Sequence, residues 1–249
     1  MPNTENPRVH ARRAGHRTSR VVLGAVVSML AVAGVALCGC GQVIPGGGPR
    51  DSANRSGVTT SIAELQKVEV KQYEGKDLSS VGDFRENSIK GPQYVDPKTY
   101  RLKITGKVTQ PQTLTYDQVK ALPRVEKLVT LNCVEGWSVD ILWQGVLLRD
   151  LLAEAGYDRG AKVVIFRAAD GYSSSLPLDY IVKRNIIFAD TINGVALPPE
   201  RGFPFQVVAE DRYGYKWVKW VTEIEVSDDD SFRGYWEKRG YDNDALLNN

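Results

Sequence analysis

Hydrophobic and polar positions divide this chain into one uninterrupted apolar block near its start and a long series of short segments of mixed period after it. The block spans residues 21–37, carries no charge, and follows Arg8, Arg12, Arg13, Arg17 and Arg20. Basic residues, then an apolar run, then small residues is the order of a secretory signal, and the run is short for a membrane span. Further along, Leu102, Ile104 and Val108 alternate with polar neighbours, which predicts a half-buried strand over 100–108 with Gly106 as a bend. Thr115 is placed to cap a short helix that runs through Leu122 and stops at Pro123, and residues 125–131 predict a strand ending at Cys133. Leu147, Leu148, Leu151 and Leu152 have helical spacing, predicting a helix over 146–155 with Gly156 at its C-cap.

The pattern continues with a strongly apolar strand over 162–168 and a turn at Asp170-Gly171. A segment over 172–178 then leads into a short helix over 179–184. Strands are expected at 186–189 and 203–209, with a loop over 191–199 held by Pro198-Pro199. After a turn at Tyr213-Gly214-Tyr215, residues 218–226 predict the last long strand, rich in aromatic and β-branched positions. Short helices among strands of this kind predict an α+β fold around twisted mixed sheets.

Composition changes this picture at the N-terminus. Leu37-Cys38-Gly39-Cys40 resembles the cleavage box of bacterial lipoproteins, so Cys40 is expected to become a lipidated N-terminus that places the protein outside the cytoplasm, anchored to the membrane. Residues 1–40 then form the signal, the Gly/Pro-rich residues 41–60 a flexible linker, and 61–249 one domain with folding starting near Ser61. Cleavage removes five Arg and one Glu, turning the formal charge of +2 into about −2, which argues against a nucleic-acid partner. It also removes both histidines, His10 and His16. Without imidazole the domain can build no Ser-His-Asp or Cys-His catalytic pair, no His-ligated zinc or copper site and no His-bound haem. Cys133 is then the one remaining thiol, with no disulfide partner in an oxidising compartment. Such a cysteine is either a buried structural residue or a ligand to a metal that brings its other donors along.

Five blocks decide between these. The first joins Cys133-Val134-Glu135-Gly136-Trp137-Ser138 to Trp143-Gln144-Gly145-Val146 and the leucine-rich segment. Then come the stretches 166–172, 197–204, 213–220 and 234–241. In this order they resemble the molybdopterin-binding domain of the sulfite oxidase family, in its small stand-alone form, over most of residues 85–245. The resemblance implies an oxidoreductase whose molybdenum is held by two dithiolene sulfurs of one pterin and by the Cys133 thiolate. It places the pterin's phosphate against the Tyr-Gly-x-Lys segment, so that Lys216, Trp217, Val218 and Lys219 are candidate cofactor contacts. It also matches an early cofactor loop to residues 86–91, with Asn87 and Lys90 as candidates.

Glu135, Asp170 and Tyr172 are the side chains expected to move protons or orient substrate beside the metal. The chain departs from the family at Asn132, where relatives often carry Arg or His, and at Gln206, where larger relatives carry Arg. Arg201 and Arg167 are the cations available to offset that loss. A small dianion needs a concentrated cationic pocket, so sulfite is not carried over as the substrate. The reading is two-electron oxygen-atom transfer on a small substrate, sulfite-oxidase-like or sulfoxide-reductase-like. With no haem ligands and no cysteine cluster, electrons must pass through a membrane redox protein or small cytochrome. Export of a loaded cofactor implies the twin-arginine route, for which Arg12-Arg13 is the candidate signal. A cofactor-free envelope lipoprotein that uses the fold as a binding module is the alternative.

Overall fold

The computed structural model describes residues 60–247; the apolar run, Cys40, the Arg12-Arg13 pair and the 41–57 segment lie outside the described residues. Ser61, where folding was expected to begin, caps α1 (Ile62–Val68). Its hydroxyl accepts from the Glu64 amide while the Glu64 carboxylate accepts from the Ser61 amide, so two donors left over at a helix start are satisfied together. A small hairpin of β1 (Gln72–Tyr73) and β2 (Lys76–Asp77) follows, and residues 78–100 contain no helix or strand.

From there the chain shuttles between two five-stranded sheets. β3 (Arg101–Gly106) and β4 (Gln112–Thr115) begin one of them, and α2 (Tyr116–Lys120), capped by Thr115 as expected, leads out of it. β5 (Arg124–Asn132) and β6 (Ser138–Leu147) build the other. α3 (Leu148–Glu154) carries the chain back to β7 (Val163–Ala168) and β8 (Ser173–Pro177). α4 (Leu178–Arg184) leads to β9 (Ile187–Ile192), β10 (Val195–Ala196) and β11 (Gln206–Val208), and β12 (Val221–Ser227) returns. The strand orders are β10-β9-β6-β5, with β11 also on β9, and β4-β3-β12-β7-β8. β12 pairs parallel to β3, Ile104 opposite Ile224, and antiparallel to β7, which makes this sheet mixed.

The α+β reading holds, with shifted boundaries that have physical causes. The helix expected from residue 146 starts at Leu148, because Val146 and Leu147 complete β6. β6 is central in its sheet and its second half is buried apart from the half-buried Gln144, so the polar alternation that marks a strand is erased there. At Gly145 a side chain would meet the Phe188 carbonyl at 2.1 Å, so only glycine lets β9 approach. The loop expected at 191–199 is instead a hairpin: β9 turns through Asn193-Gly194, both at positive φ, into β10. The last strand starts at Val221 rather than 218, because Trp220 at φ 51 turns the chain just before it. The leucines read as core are core: Leu148, Leu151 and Leu152 are fully buried. No helix among the described residues is long and apolar enough to cross a membrane.

Candidate active site

Alternation between the sheets brings four connections to one place. These are the β5–β6 loop at 133–137, the β7–β8 turn at 169–172, the crossing from β11 to β12, and the irregular segment around 85–89. Together with Trp236 and Tyr241 from the C-terminal segment they enclose a cleft of about 330 Å³.

Cys133 opens the loop after β5, directly beyond the last β5–β6 pair, Asn132 with Ser138. Its amide donates to the Trp137 carbonyl at 2.9 Å and its carbonyl accepts from the Gly136 amide at 3.1 Å, with Gly136 at φ 82 closing the turn. The half-buried thiol projects into the cleft, where the Asn87 side-chain amide lies 3.7 Å from Sγ as a donor. Burial pushes this thiol above the ordinary cysteine range and the nearby Glu135 carboxylate adds to the rise, while the Glu135 amide, Asn87 and Arg85 pull it back. A metal bound here therefore displaces a proton.

Glu135 is exposed at the cleft, its carboxylate accepting from the Trp137 indole at 3.2 Å. Asp170 lines the same cleft at 2 % exposure and accepts from the Tyr172 amide at 2.9 Å, so it also holds the β7–β8 turn. The Tyr172 hydroxyl donates to the Tyr215 carbonyl at 2.5 Å, and burial, the leading cause, pushes its pKa far up. That arrangement makes Tyr172 a wall and a strut rather than an acid. Lys219 reaches the cleft with its ammonium 2.9 Å from Glu86 and 4.4 Å from the Trp220 ring centre. Trp217 walls it as well, its indole fixed on the Arg212 carbonyl at 3.0 Å.

Four expected contacts do not line the cleft. Residues 214–216 do form the tight turn that would let Lys216 and Lys219 face one ligand, yet Lys216 is turned inward. Its ammonium lies 2.6 Å from Glu237 and 3.1 Å from the Ser175 carbonyl, in a fully buried ion pair that ties the C-terminal segment to the turn. Arg201 is buried beneath the 84–89 segment, donating to the Val81 and Phe84 carbonyls at 3.1 Å each, with its guanidinium over the Phe84 ring. Val218 is core, and Lys90 is exposed beside Gly171. Arg167, offered as an offsetting cation, instead pairs with Glu223 and Glu225 across the β7–β12 ladder.

Residues that pattern reading did not single out complete the walls: Arg85, Glu86, Tyr215, Trp236 and Tyr241. All but Arg85 sit inside the matched blocks, which was their only signal. Gln206 does sit in the wall, so the cation missing from the sequence there is missing from the cleft. The lining carries Arg85 and Lys219 against Glu86, Glu135 and Asp170.

Cys133 is a free thiol in an aromatic cleft, and among the described residues no group of three or more His, Cys, Asp and Glu could hold a metal ion, so a metal here would need an organic cofactor to bring its other donors. The cleft fits that group: the thiol offers one soft ligand, flat aromatic walls suit a pterin, and Lys219 offers a cation. The sequence profile described as the oxidoreductase molybdopterin binding domain matches residues 89–236, and the chain belongs to this family, that of sulfite oxidase. The uncharacterized oxidoreductase YuiH of Bacillus subtilis is 37% identical over 151 residues, 60% of this chain and 76% of that one. A protein of Azospira oryzae provisionally named protein-methionine-sulfoxide reductase subunit YedZ1 is 34% identical over 148 residues, 59% of this chain and 56% of its own. Human mitochondrial sulfite oxidase is 30% identical over 188 residues, which cover 64% of this chain but 34% of the human protein. Among solved structures, the sulfane dehydrogenase SoxCD of Paracoccus pantotrophus shares the fold with a TM-score of 0.52 at 22% identity, over 73% of this chain and 56% of that one.

Proposed function

We propose that this molybdopterin-binding oxidoreductase transfers an oxygen atom between water and a small uncharged substrate, of the sulfoxide type rather than sulfite. The observation that supports it most is the cleft lining, where two cations face three carboxylates around the Cys133 thiol. A small dianion entering such a cleft meets net negative charge, whereas a neutral dipolar oxide with apolar substituents meets aromatic walls. Bound there, the cofactor supplies a two-electron redox couple for oxygen-atom exchange. Cys133 supplies the thiolate, Asn87 donates toward its sulfur, and Trp137 and Trp217 offer flat surfaces for the pterin. Glu135, exposed at the mouth, is the carboxylate placed to pass protons to water. The provisional name of the Azospira oryzae relative points to the same substrate class.

In this reading the chain works outside the cytoplasm, tethered through lipidated Cys40 after a signal at 1–40, and exchanges electrons with a membrane redox protein or small cytochrome. Molybdenum per chain, measured by mass spectrometry on wild type and Cys133→Ser, tests the centre. About one metal per chain in wild type, with a disturbed metal spectrum and loss of turnover in the variant, is expected. A fully active Cys133→Ser enzyme would refute it. For the substrate, kcat/KM is expected to favour a neutral alkyl sulfoxide over sulfite by about a hundredfold, and the reverse order overturns that part. Radiolabelled palmitate on wild type but not on Cys40→Ser tests the anchor.

A further inference from the structure

We propose that Glu86 is an internal competitor for the anion seat on Lys219: its carboxylate holds the place the cofactor's terminal phosphate needs, so loading must move the Glu86 side chain off Lys219. The inference rests on the cofactor reading above and deepens it. Three observations lead to it.

The first is the seat itself. Lys219 places its ammonium 2.9 Å from a Glu86 oxygen, with the Glu200 carbonyl at 3.5 Å and the Trp220 ring beneath at 4.4 Å. The two side chains are only 17% and 30% exposed. Among the described residues Glu86 is the single carboxylate paired with this ammonium, so the seat holds one anion at a time. Burial pushes the Lys219 pKa down and the Glu86 contact pulls it back, as for a sheltered ammonium that needs an anion.

The second is the backbone of the competitor. Residues 85–90 have no helix or strand, and among the described residues none of them makes a backbone–backbone hydrogen bond. The segment is pinned at its base, where Arg201 donates to the Phe84 carbonyl, and Gly91 at φ 77 turns the chain at its far end. Between those points it meets the opposite side of the cleft through Glu86 on Lys219 and Asn87 on the Cys133 sulfur. A segment held this way opens at a small fraction of the cost of global unfolding.

The third is that these two contacts address both ends of the expected ligand, a cation for a phosphate and a sulfur for a metal. Loading displaces Glu86 from Lys219, while Asn87 stays in place as a donor toward the Cys133 sulfur. A covered seat weakens phosphate by the fraction of time it is open. In the structure the Glu86 carboxylate occupies it.

The full chain, made in cells unable to synthesise the pterin, is titrated with inorganic phosphate by calorimetry and by tryptophan fluorescence, which reads the Trp220 ring under Lys219. Glu86→Gln is expected to tighten phosphate by about tenfold over wild type. Adding Lys219→Gln to Glu86→Gln is expected to abolish the gain, with circular dichroism and melting confirming that each variant is folded. Equal phosphate binding by wild type and Glu86→Gln overturns the proposal, and so does a gain that survives loss of Lys219. The titration needs no metal, so it separates from the function above. A tenfold gain in a chain that never acquires molybdenum keeps the competing anion seat and sinks the cofactor reading. Normal molybdenum loading without any gain sinks only the competitor.

Discussion

Lys216 and Lys219 flank one tight turn, three residues apart, and equivalent roles were expected of them; the fold sends them to opposite fates. Lys216 is 1% exposed and locked to a fully buried Glu237, on the side where the C-terminal segment crosses the sheet. Lys219 faces the cleft and pairs with Glu86 on a segment without regular structure. Two identical side chains thus become a structural pin and a cleft-facing cation, and the difference lies in what covers each of them. A charged residue inside a motif identifies a neighbourhood; burial and partners decide what it does there.

The largest test of that contrast is Lys216→Met, which leaves Glu237 charged in the interior. It is expected to cost about 3–5 kcal/mol in chemical denaturation. Adding Glu237→Gln should recover part of the loss, and a cost below about 1 kcal/mol would place Lys216 at the surface instead. Next comes Arg201→Met, which strips the Val81 and Phe84 carbonyls of a charged donor and loosens the base of the 84–89 segment. About 1.5–3 kcal/mol is expected, read from the same chemical denaturation, together with faster hydrogen exchange confined to that region. Ser61→Ala, far from both lysines, removes a capping hydroxyl and should cost about 1 kcal/mol. Smallest is Lys219→Gln, expected to change stability by no more than about 1 kcal/mol because its pair is only partly buried. A loss from Lys219→Gln as large as that from Lys216→Met would erase the distinction.

Much of the fold was legible wherever one face of an element meets water. β3 alternates exposed Arg101 and Lys103 with buried Leu102 and Ile104, and its pattern is visible by eye. The cap at Thr115 and the turn at Asp170-Gly171 follow from the chemistry of those residues. β6 was missed because a strand buried on both faces loses its period, and its final leucine runs into the helical spacing of α3. The hairpin at Asn193-Gly194 had a local signal that was read as loop. For the site, Cys133 stood out through its uniqueness after histidine was eliminated. Asn87 and Lys219 followed from the matched blocks, and both reach the cleft. Lys216, Arg201, Val218 and Lys90 were named for their place in those blocks, and a block does not say which way a side chain turns. Trp236 and Tyr241 come to the cleft through the Lys216–Glu237 pair and the Tyr215 hydroxyl on the Asp242 carbonyl, long-range contacts with no local pattern.

The pairing of β12 with β3 bears on how the molecule comes into being. Ile104 and Ile224 sit side by side at the centre of one sheet, so almost the whole domain must leave the ribosome before that sheet can close. Contacts this distant in sequence close slowly, because the loop entropy is lost before the pairing rewards it. Trp236 and Tyr241 emerge later still, so the pocket wall they form is the last part to be assembled. A polypeptide cut short before Trp236 would therefore lack part of the cleft wall even with every β-strand present.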